Sequence, residues 1–356
     1  MTVRDIEKYR RRNPAQTLAG LGEFRICTVI PCYNENSTLG ATIDSLKRSA
    51  AQAKEKIAFL VVVNFPSGAD PAESLELMKR LEGGDLASPE IFALYAPELQ
   101  GGVGEARKIG MDCFLQSCAP EKASETLICS MDGDTLVEED YFKYVINFFR
   151  TRPQGGVSIA LRHLPGADEA NEKAIRRYEA YLERYAAQLK RCGSPYGFHT
   201  VGSAFAVRGD SYMKCGGMKV RQAGEDFYFL QAVAKTSGVG VIEKVLVHPS
   251  PRISARTPFG TGQSVRDLLE GKSLNEIPDA AFDRLAALLA AALTAGVLDS
   301  DRPALPEENF FESEKFFKVW PGIRRNTPGN KLPEAFHVWF DGLKTLRFLH
   351  RVSIPG

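Results

Sequence analysis

The chain has 356 residues, of which 44% are hydrophobic and 25% charged, and this composition is typical of a soluble globular protein. Lys and Arg total 45 against 44 Asp and Glu, so the formal charge of +1 provides no overall field that would favour nucleic acid as a partner. The seven cysteines are odd in number and form no Cys-x-x-Cys pair, which indicates a reducing, cytoplasmic compartment.

Residues 1–24 form a basic N-terminal extension. They are charged from Arg4 onward and contain no apolar stretch of the signal-peptide type, so export is not expected.

From about residue 25 to 250, short β-branched runs alternate with longer helical patterns, which predicts an α/β fold. Residues 26–30 and 57–63 read as strands, separated by the loop 31–36 and a helix that begins at Ser37 or Thr38. Further predicted elements are a strand over 91–95, a helix over 104–118, a strand over 126–131, helices over 138–150 and 169–191, and a strand over 239–247.

Three loops of this sheet are expected at one rim, because ligands of open α/β sheets bind beyond the carboxyl ends of the strands. They are residues 31–36, 64–68 and 132–135. The glycine-rich turn 101–104 precedes a helix and offers backbone N–H groups to an anion, with Arg107 one turn inside.

Two carboxylates, Asp132 and Asp134, directly follow the apolar run 126–131. Hard cations such as Mg²⁺ accept carboxylate oxygens and share their remaining positions with water and substrate phosphates, so this turn is a candidate anchor for a metal and a diphosphate. An acidic turn that contains glycine is also common after strands, and an ordinary turn is the alternative interpretation.

Four motifs together resemble family 2 glycosyltransferases over about two-thirds of the chain. They are VIPCYNE at 29–35, GEARKIG at 104–110, DGD at 132–134 and GED at 224–226. The resemblance implies a GT-A fold, with a Rossmann-like, mixed and mostly parallel sheet flanked by helices. It also implies a nucleotide-diphospho-sugar donor, a Mg²⁺ or Mn²⁺ ion, and usually an inverting single displacement.

By the same resemblance, Pro31, Tyr33 and Glu35 line the nucleotide pocket and Arg107 faces the diphosphate, while Pro31 could simply end a strand and Glu35 could cap a helix. The chain departs from the family at the second strand, where Asn64 stands in place of the expected aspartate. Its amide can still contact a base, but the preferred nucleotide is left open.

The GED motif supplies the candidate general base, since an inverting transfer must remove the proton of the acceptor hydroxyl. Asp226 resembles that base, and Glu225 is the second candidate. Acidic residues are also favoured at the start of a helix by its dipole, which is the structural alternative.

The remaining site candidates lie downstream of residues 132–134, the predicted metal turn. Gly202 and Ser203 resemble the floor of the donor-sugar site, His248 resembles a metal ligand, and Arg252 and Arg256 resemble residues that stabilise the departing diphosphate. Solvated loop cations and a strand-end histidine are the alternative interpretation.

Residues 25–263 are therefore expected to form the catalytic domain and residues 264–356 a C-terminal, mostly helical appendage. Within it, residues 335–352 carry apolar side chains at helical spacing, which predicts a helix packed on the protein or, alternatively, peripheral contact with the inner face of a membrane. The appendage could alternatively form the interface of a homodimer. The acceptor could be a saccharide, a lipid-linked or a small molecule.

Three other functions compete with an inverting transferase. A retaining glycosyltransferase shares the metal motif, and a non-catalytic binder would share the nucleotide site. A nucleotidyltransferase would normally carry a Gly-rich basic loop after its first strand, where this chain has residues 31–36.

Overall fold

The computed structural model describes residues 1–221, 223–252 and 260–353 of the chain. These residues divide into two compact units: the first contains residues 1–179 and 199–273, and the second contains residues 180–198 and 274–356. The sequence analysis had assigned residues 180–198 to the range 25–263.

The first unit is built on one eight-stranded sheet. Its strands are β1 (Ile26–Cys32), β2 (Ile57–Pro66), β3 (Ile91–Leu99), β4 (Leu127–Ser130), β5 (Leu136–Val137), β6 (Gly156–Leu161), β7 (Phe205–Arg208) and β8 (Val239–His248). Their order across the sheet is β3-β2-β1-β4-β7-β6-β8-β5. The first four neighbours in this order are parallel, β7 runs antiparallel to both β4 and β6, and β6 is parallel to β8.

Helices flank this sheet. They are α1 (Val3–Arg12), α2 (Leu39–Ala53), α3 (Ala72–Gly83), α4 (Gly102–Ser117), α5 (Pro120–Ala123), α6 (Tyr141–Thr151), α7 (Glu169–Arg191), α8 (Gly209–Lys214), α9 (Glu225–Ser237) and α10 (Thr261–Leu269). The residues of α7 from 180 onward belong to the second unit.

The central strands lie between two layers of helices, and their sequences show it. Every residue of β1 is buried, as is every residue of β2 except Pro66. A continuous run of buried β-branched residues is typical of a parallel strand that is covered on both faces. The mixed, mostly parallel sheet flanked by helices confirms the predicted fold class.

The second unit is helical. It contains α11 (Asp279–Ala292), α12 (Glu308–Ser313), α13 (Phe316–Arg325), α14 (Leu332–Trp339) and α15 (Gly342–Ser353). Its core is rich in aromatic rings, including Phe311, Phe316, Trp320 and Phe336, each fully buried and in contact with at least one of the others. The predicted helical appendage is therefore present.

Two details differ from the sequence analysis. The helix predicted over 335–352 is two helices, α14 and α15, which are separated at Phe340 and Asp341. Phe336, Phe340 and Phe348 are buried in the core of the unit, so these side chains follow the packed alternative. Strand β6 was not predicted.

Among the described residues, no helix combines the length and the apolar character that crossing a membrane requires.

Candidate active site

A cavity of about 410 Å³ lies at the carboxyl-terminal edge of the parallel strands. The loops that follow β1, β4 and β6 contribute to its wall, as do the last residues of β2 and the segment before β7. The predicted site residues on this wall are Pro31, Tyr33, Glu35, Asn64, Arg107, Asp132, Asp134, Ser203 and Arg252. The three loops that the sequence placed at one rim therefore do share one cavity.

Arg107 joins the metal turn to the GED motif. Its guanidinium is 3% exposed and is ion-paired with both Asp132 and Glu225. Burial alone would lower its pKa, but the charges of the two carboxylates and of Asp226 raise it. Arg107 was predicted to face a diphosphate; in the structure it lies on the cavity wall and binds two protein carboxylates.

Gly202 makes room for that guanidinium. A Cβ at position 202 would collide with the side chain of Arg107, and the carbonyl oxygen of Gly202 accepts a 2.6 Å hydrogen bond from Ser130. Gly202 is thus packed behind the cavity, whereas its neighbour Ser203 lies on the wall. Only glycine allows so close an approach.

The two carboxylates of the GED motif have different surroundings. Glu225 is buried, and its Oε1 is held by Arg107. Asp226 is half-buried and accepts a 2.7 Å hydrogen bond from the backbone N–H of Phe227. Burial and the charge of Glu225 raise the pKa of Asp226 to about 7, against the opposing effect of Arg107. A group that titrates near neutral pH is well matched to general-base catalysis.

Arg252 forms a second bridge between carboxylates. It binds both oxygens of Glu35, and its Nε lies 2.8 Å from Oδ2 of Asp134. Glu35 was predicted to line the nucleotide pocket; it lies on the cavity wall and binds Arg252 there. The backbone carbonyl of Glu35 also accepts from the N–H groups of Thr38 and Leu39 at the start of α2.

Asp134 is surrounded by negative charge. Burial and the charges of Asp132 and Glu35 raise its pKa to about 7, although Arg252 opposes this. A divalent cation at this turn would relieve that repulsion.

The two aspartates can satisfy the metal prediction only if other ligands complete the coordination of the ion. In the described ranges, no group of three or more His, Cys, Asp or Glu side chains is placed to hold an ion. Mg²⁺ typically uses one or two carboxylates together with substrate phosphates and water. Asp132 and Asp134 therefore suit an ion that arrives with a diphosphate.

His248 lies at the end of β8, where both ring nitrogens have protein partners. Nε2 is 2.9 Å from Oε1 of Glu138, and Nδ1 is 2.9 Å from the carbonyl oxygen of Arg162. It would have to give up one of these contacts to bind a metal. Arg256, the other predicted residue of this segment, lies outside the described residues.

The side of the cavity that was predicted to hold the nucleotide is formed by β1, the loop after it and the end of β2. Pro31 is a buried member of β1, and Tyr33 is half-buried on the wall. The amide nitrogen of Asn64 donates to the carbonyl oxygens of Cys32 and Val62, at 3.2 and 3.0 Å. The amide therefore ties β2 to β1, which leaves its oxygen as the group for a ligand.

The anion site predicted at residues 101–104 is partly filled by the protein itself. The backbone N–H groups of Gln100 and Gly101 both donate to Oε2 of Glu105, at 3.0 and 2.7 Å. The helix thus caps its own amino terminus, and an incoming anion would compete with this carboxylate.

Sequence reasoning missed His163, which lies on the cavity wall two residues after β6. It was overlooked because β6 itself was not predicted. A histidine just beyond a strand's carboxyl end was the available signal.

Comparison with known proteins decides the family. The sequence model for glycosyl transferase family 2 matches residues 27–216, which is more than half of the chain. The chain belongs to glycosyl transferase family 2. The family assignment predicted from the four motifs is therefore confirmed, and with it the class of enzyme, a glycosyltransferase with a GT-A fold. The match includes the metal turn and ends before the GED motif.

No curated protein matches the glycosyltransferase significantly in sequence. Among solved structures, TarS 1-349 from S. aureus in complex with UDP-GlcNAc has 13% identity and a TM-score of 0.46, with 92% of this chain and 90% of that one covered. The mannosyltransferase PcManGT from Pyrobaculum calidifontis, in complex with GDP-Man and Mn²⁺, has 15% identity and a TM-score of 0.44, with 94% and 93% covered.

Proposed function

We propose that this glycosyltransferase moves a sugar from a nucleotide-diphospho-sugar to an acceptor hydroxyl, with inversion at the anomeric carbon. One observation carries the proposal: the acidic turn Asp132 to Asp134, which lies within the family match, lines the same cavity as the loop after β1 and the end of β2. The donor's nucleotide would lie along Tyr33 and Asn64, and its diphosphate would lie at the acidic turn.

The residues divide the chemistry between the two faces of the sugar. The acceptor oxygen attacks the anomeric carbon, the bond from that carbon to the diphosphate oxygen breaks, and Asp226 takes the acceptor's proton. A divalent metal held by Asp132 and Asp134 would supply positive charge for the departing diphosphate. Arg252 lies beside Asp134 and is placed to add to that charge.

Glu225 is not the base in this proposal. Its carboxylate is buried against Arg107, where it fixes the guanidinium. Asp226 is adjacent, half-buried and poised to titrate near neutral pH.

A thermal-shift panel tests the donor class. UDP, GDP, UDP-glucose, UDP-galactose, UDP-N-acetylglucosamine and GDP-mannose are each measured with and without Mn²⁺. A ligand that binds only the folded state raises the melting temperature, and at 100 times its Kd it adds about 2.7 kcal/mol of stability. We expect a Mn²⁺-dependent shift with at least one donor and its nucleoside diphosphate. Asp134→Ala is the matched control and should lose the metal dependence, whereas a panel without any shift would contradict the proposal.

Asp226→Asn tests the base with the donor found in this way. We expect unchanged donor affinity by calorimetry and transfer reduced at least 1000-fold, because general-base assistance and the correct charge are both lost. Full transfer by this variant would refute the assignment. NMR of the product's anomeric proton then separates inversion from retention.

A further inference from the structure

His163 is a buried histidine on the wall of the cavity that the proposed mechanism does not use. The residue is only 3% exposed, and its Nδ1 lies 2.9 Å from Oε1 of Glu179 on α7. The backbone N–H of His163 donates to the same carboxylate oxygen. The ring is therefore held in one orientation.

Glu179 is itself held in place by Arg176, one turn earlier on α7. Nη1 of Arg176 lies 3.0 and 2.8 Å from the two oxygens of Glu179, and Nη2 donates to the carbonyl oxygen of His163. Burial would raise the pKa of Glu179, but the hydrogen bonds from His163 and Arg176 outweigh it and hold the pKa below its ordinary value. An ionised carboxylate can only accept, so Nδ1 carries a proton and donates it to Glu179. In the tautomer that is protonated at Nδ1, Nε2 is an acceptor.

That acceptor has no protein partner. Nε2 of His163 is buried without a hydrogen bond to any residue in the described ranges, and so is Oγ of Ser203, which is 1% exposed and lines the same cavity. Buried polar atoms are nearly always hydrogen-bonded in folded proteins. Two such atoms on one cavity wall therefore indicate a polar ligand.

The position of His163 and Ser203 along the sheet indicates which part of the ligand they would contact. Along the cavity edge, the nucleotide loops follow β2 and β1, the metal turn follows β4, Ser203 precedes β7 and His163 follows β6. From β1 to β6 there are three strand spacings, which is about 14 Å. A donor with its nucleotide at β1 and its diphosphate at β4 extends its sugar toward β7 and β6.

We propose that His163, fixed by Glu179 and assisted by Ser203, binds one hydroxyl of the donor's sugar and so determines which sugar is accepted. Nε2 accepts the hydrogen bond from that hydroxyl, and Oγ of Ser203 donates to its oxygen. This inference rests on the proposed function, because it assigns the sugar end of the same donor. A site built to bind a hydroxyl rejects an analogue that lacks it far better than an apolar pocket could.

Calorimetry separates the sugar's contribution from the nucleotide's. The ligands are the sugar nucleotide that gives the largest thermal shift in the panel above and its nucleoside diphosphate, both with Mn²⁺. We expect His163→Ala to weaken the sugar nucleotide about tenfold and to leave the nucleoside diphosphate within about twofold, as one lost hydrogen bond implies. His350→Ala, which removes an exposed histidine of α15, should change neither affinity.

Two further variants separate recognition from folding. Glu179→Gln keeps the shape of the carboxylate but no longer imposes the tautomer, so it should also weaken the sugar nucleotide selectively. His163→Gln carries an amide oxygen that can still accept, and it should recover part of the affinity that His163→Ala loses. Retained binding of the nucleoside diphosphate shows that each variant is folded.

The outcomes distinguish the two proposals. If wild type binds no sugar nucleotide, the proposed function fails and this inference fails with it. If wild type binds the sugar nucleotide and His163→Ala binds it equally well, or weakens both ligands by the same factor, only the role of His163 is overturned.

Discussion

Two arginines hold the carboxylates of the active site, and their environments differ. Arg107 joins Asp132 to Glu225 and is 3% exposed, whereas Arg252 joins Asp134 to Glu35 with its side chain 38% exposed. Each arginine therefore pairs with one aspartate of the turn 132–134 and with one glutamate from elsewhere in the chain, Glu225 at the start of α9 or Glu35 in the loop after β1.

The difference in burial indicates different roles for the two arginines. Arg107 and Glu225 are both desolvated, so water cannot take the place of either residue if it is lost and its partner remains. Arg252 can exchange protein carboxylates for solvent or for the phosphates of a donor. The buried bridge should therefore stabilise the fold, and the exposed bridge should be the one that changes partner when a ligand binds.

Arg107→Met is expected to have the largest effect on stability. It leaves Glu225 buried without a counter-charge, and breaking a buried ion pair on one side typically costs about 3–5 kcal/mol. Urea unfolding followed by circular dichroism measures the change in the free energy of unfolding. Arg48→Met, on the exposed face of α2, is the control and should change it little. A loss below about 1 kcal/mol would remove the distinction between the two bridges.

Arg252→Met should cost less stability, about 1 kcal/mol, because the Arg252 side chain is 38% exposed, so that water can take its place beside Glu35 and Asp134. Its Nε and a bound cation compete for the same aspartate, so Mn²⁺ should raise the melting temperature of this variant at least as much as that of wild type. A smaller shift in the variant would show that Arg252 assists the metal rather than competes with it.

The sequence was sufficient to predict β1, β2, β4 and the acidic turn after β4, because buried β-branched runs and acidic turns are local patterns. The ion pairs of Arg107 and Arg252 could not be predicted from the sequence. Arg107 and Glu225 are 118 residues apart, and Arg252 and Glu35 are 217 apart, so their pairing depends on the fold as a whole.

Other misses have equally specific causes. Glu105 occupies the N–H groups that were expected to bind an anion, since helical spacing lets a side chain fold back on its own amino terminus. His163 was missed because β6 gives no cue beyond a short apolar run. In both cases a neighbouring side chain, rather than the motif itself, decides the role.

The smallest expected effect concerns Asp226, which lies next to the buried bridge and is not itself bridged by any arginine of the described residues. Its pKa is about 7 in the folded protein, against 3.8 as its ordinary value. The folded state thus binds more protons than the unfolded state between these values, and wild type loses stability as the pH rises through them. Asp226→Asn removes this loss and should be more stable than wild type by about 1 kcal/mol at pH 8, after allowance for partial exposure, with a smaller gain at pH 5.

Melting temperatures of both proteins across this pH range give the comparison, and Asp44→Asn, at an exposed position of α2, should show no such trend. A gain that is equal at pH 5 and pH 8 would mean that Asp226 is not held at a raised pKa. In that case the carboxylate would already be ionised well below neutral pH, and the Arg107 bridge would have to stabilise Asp226 as well as Glu225.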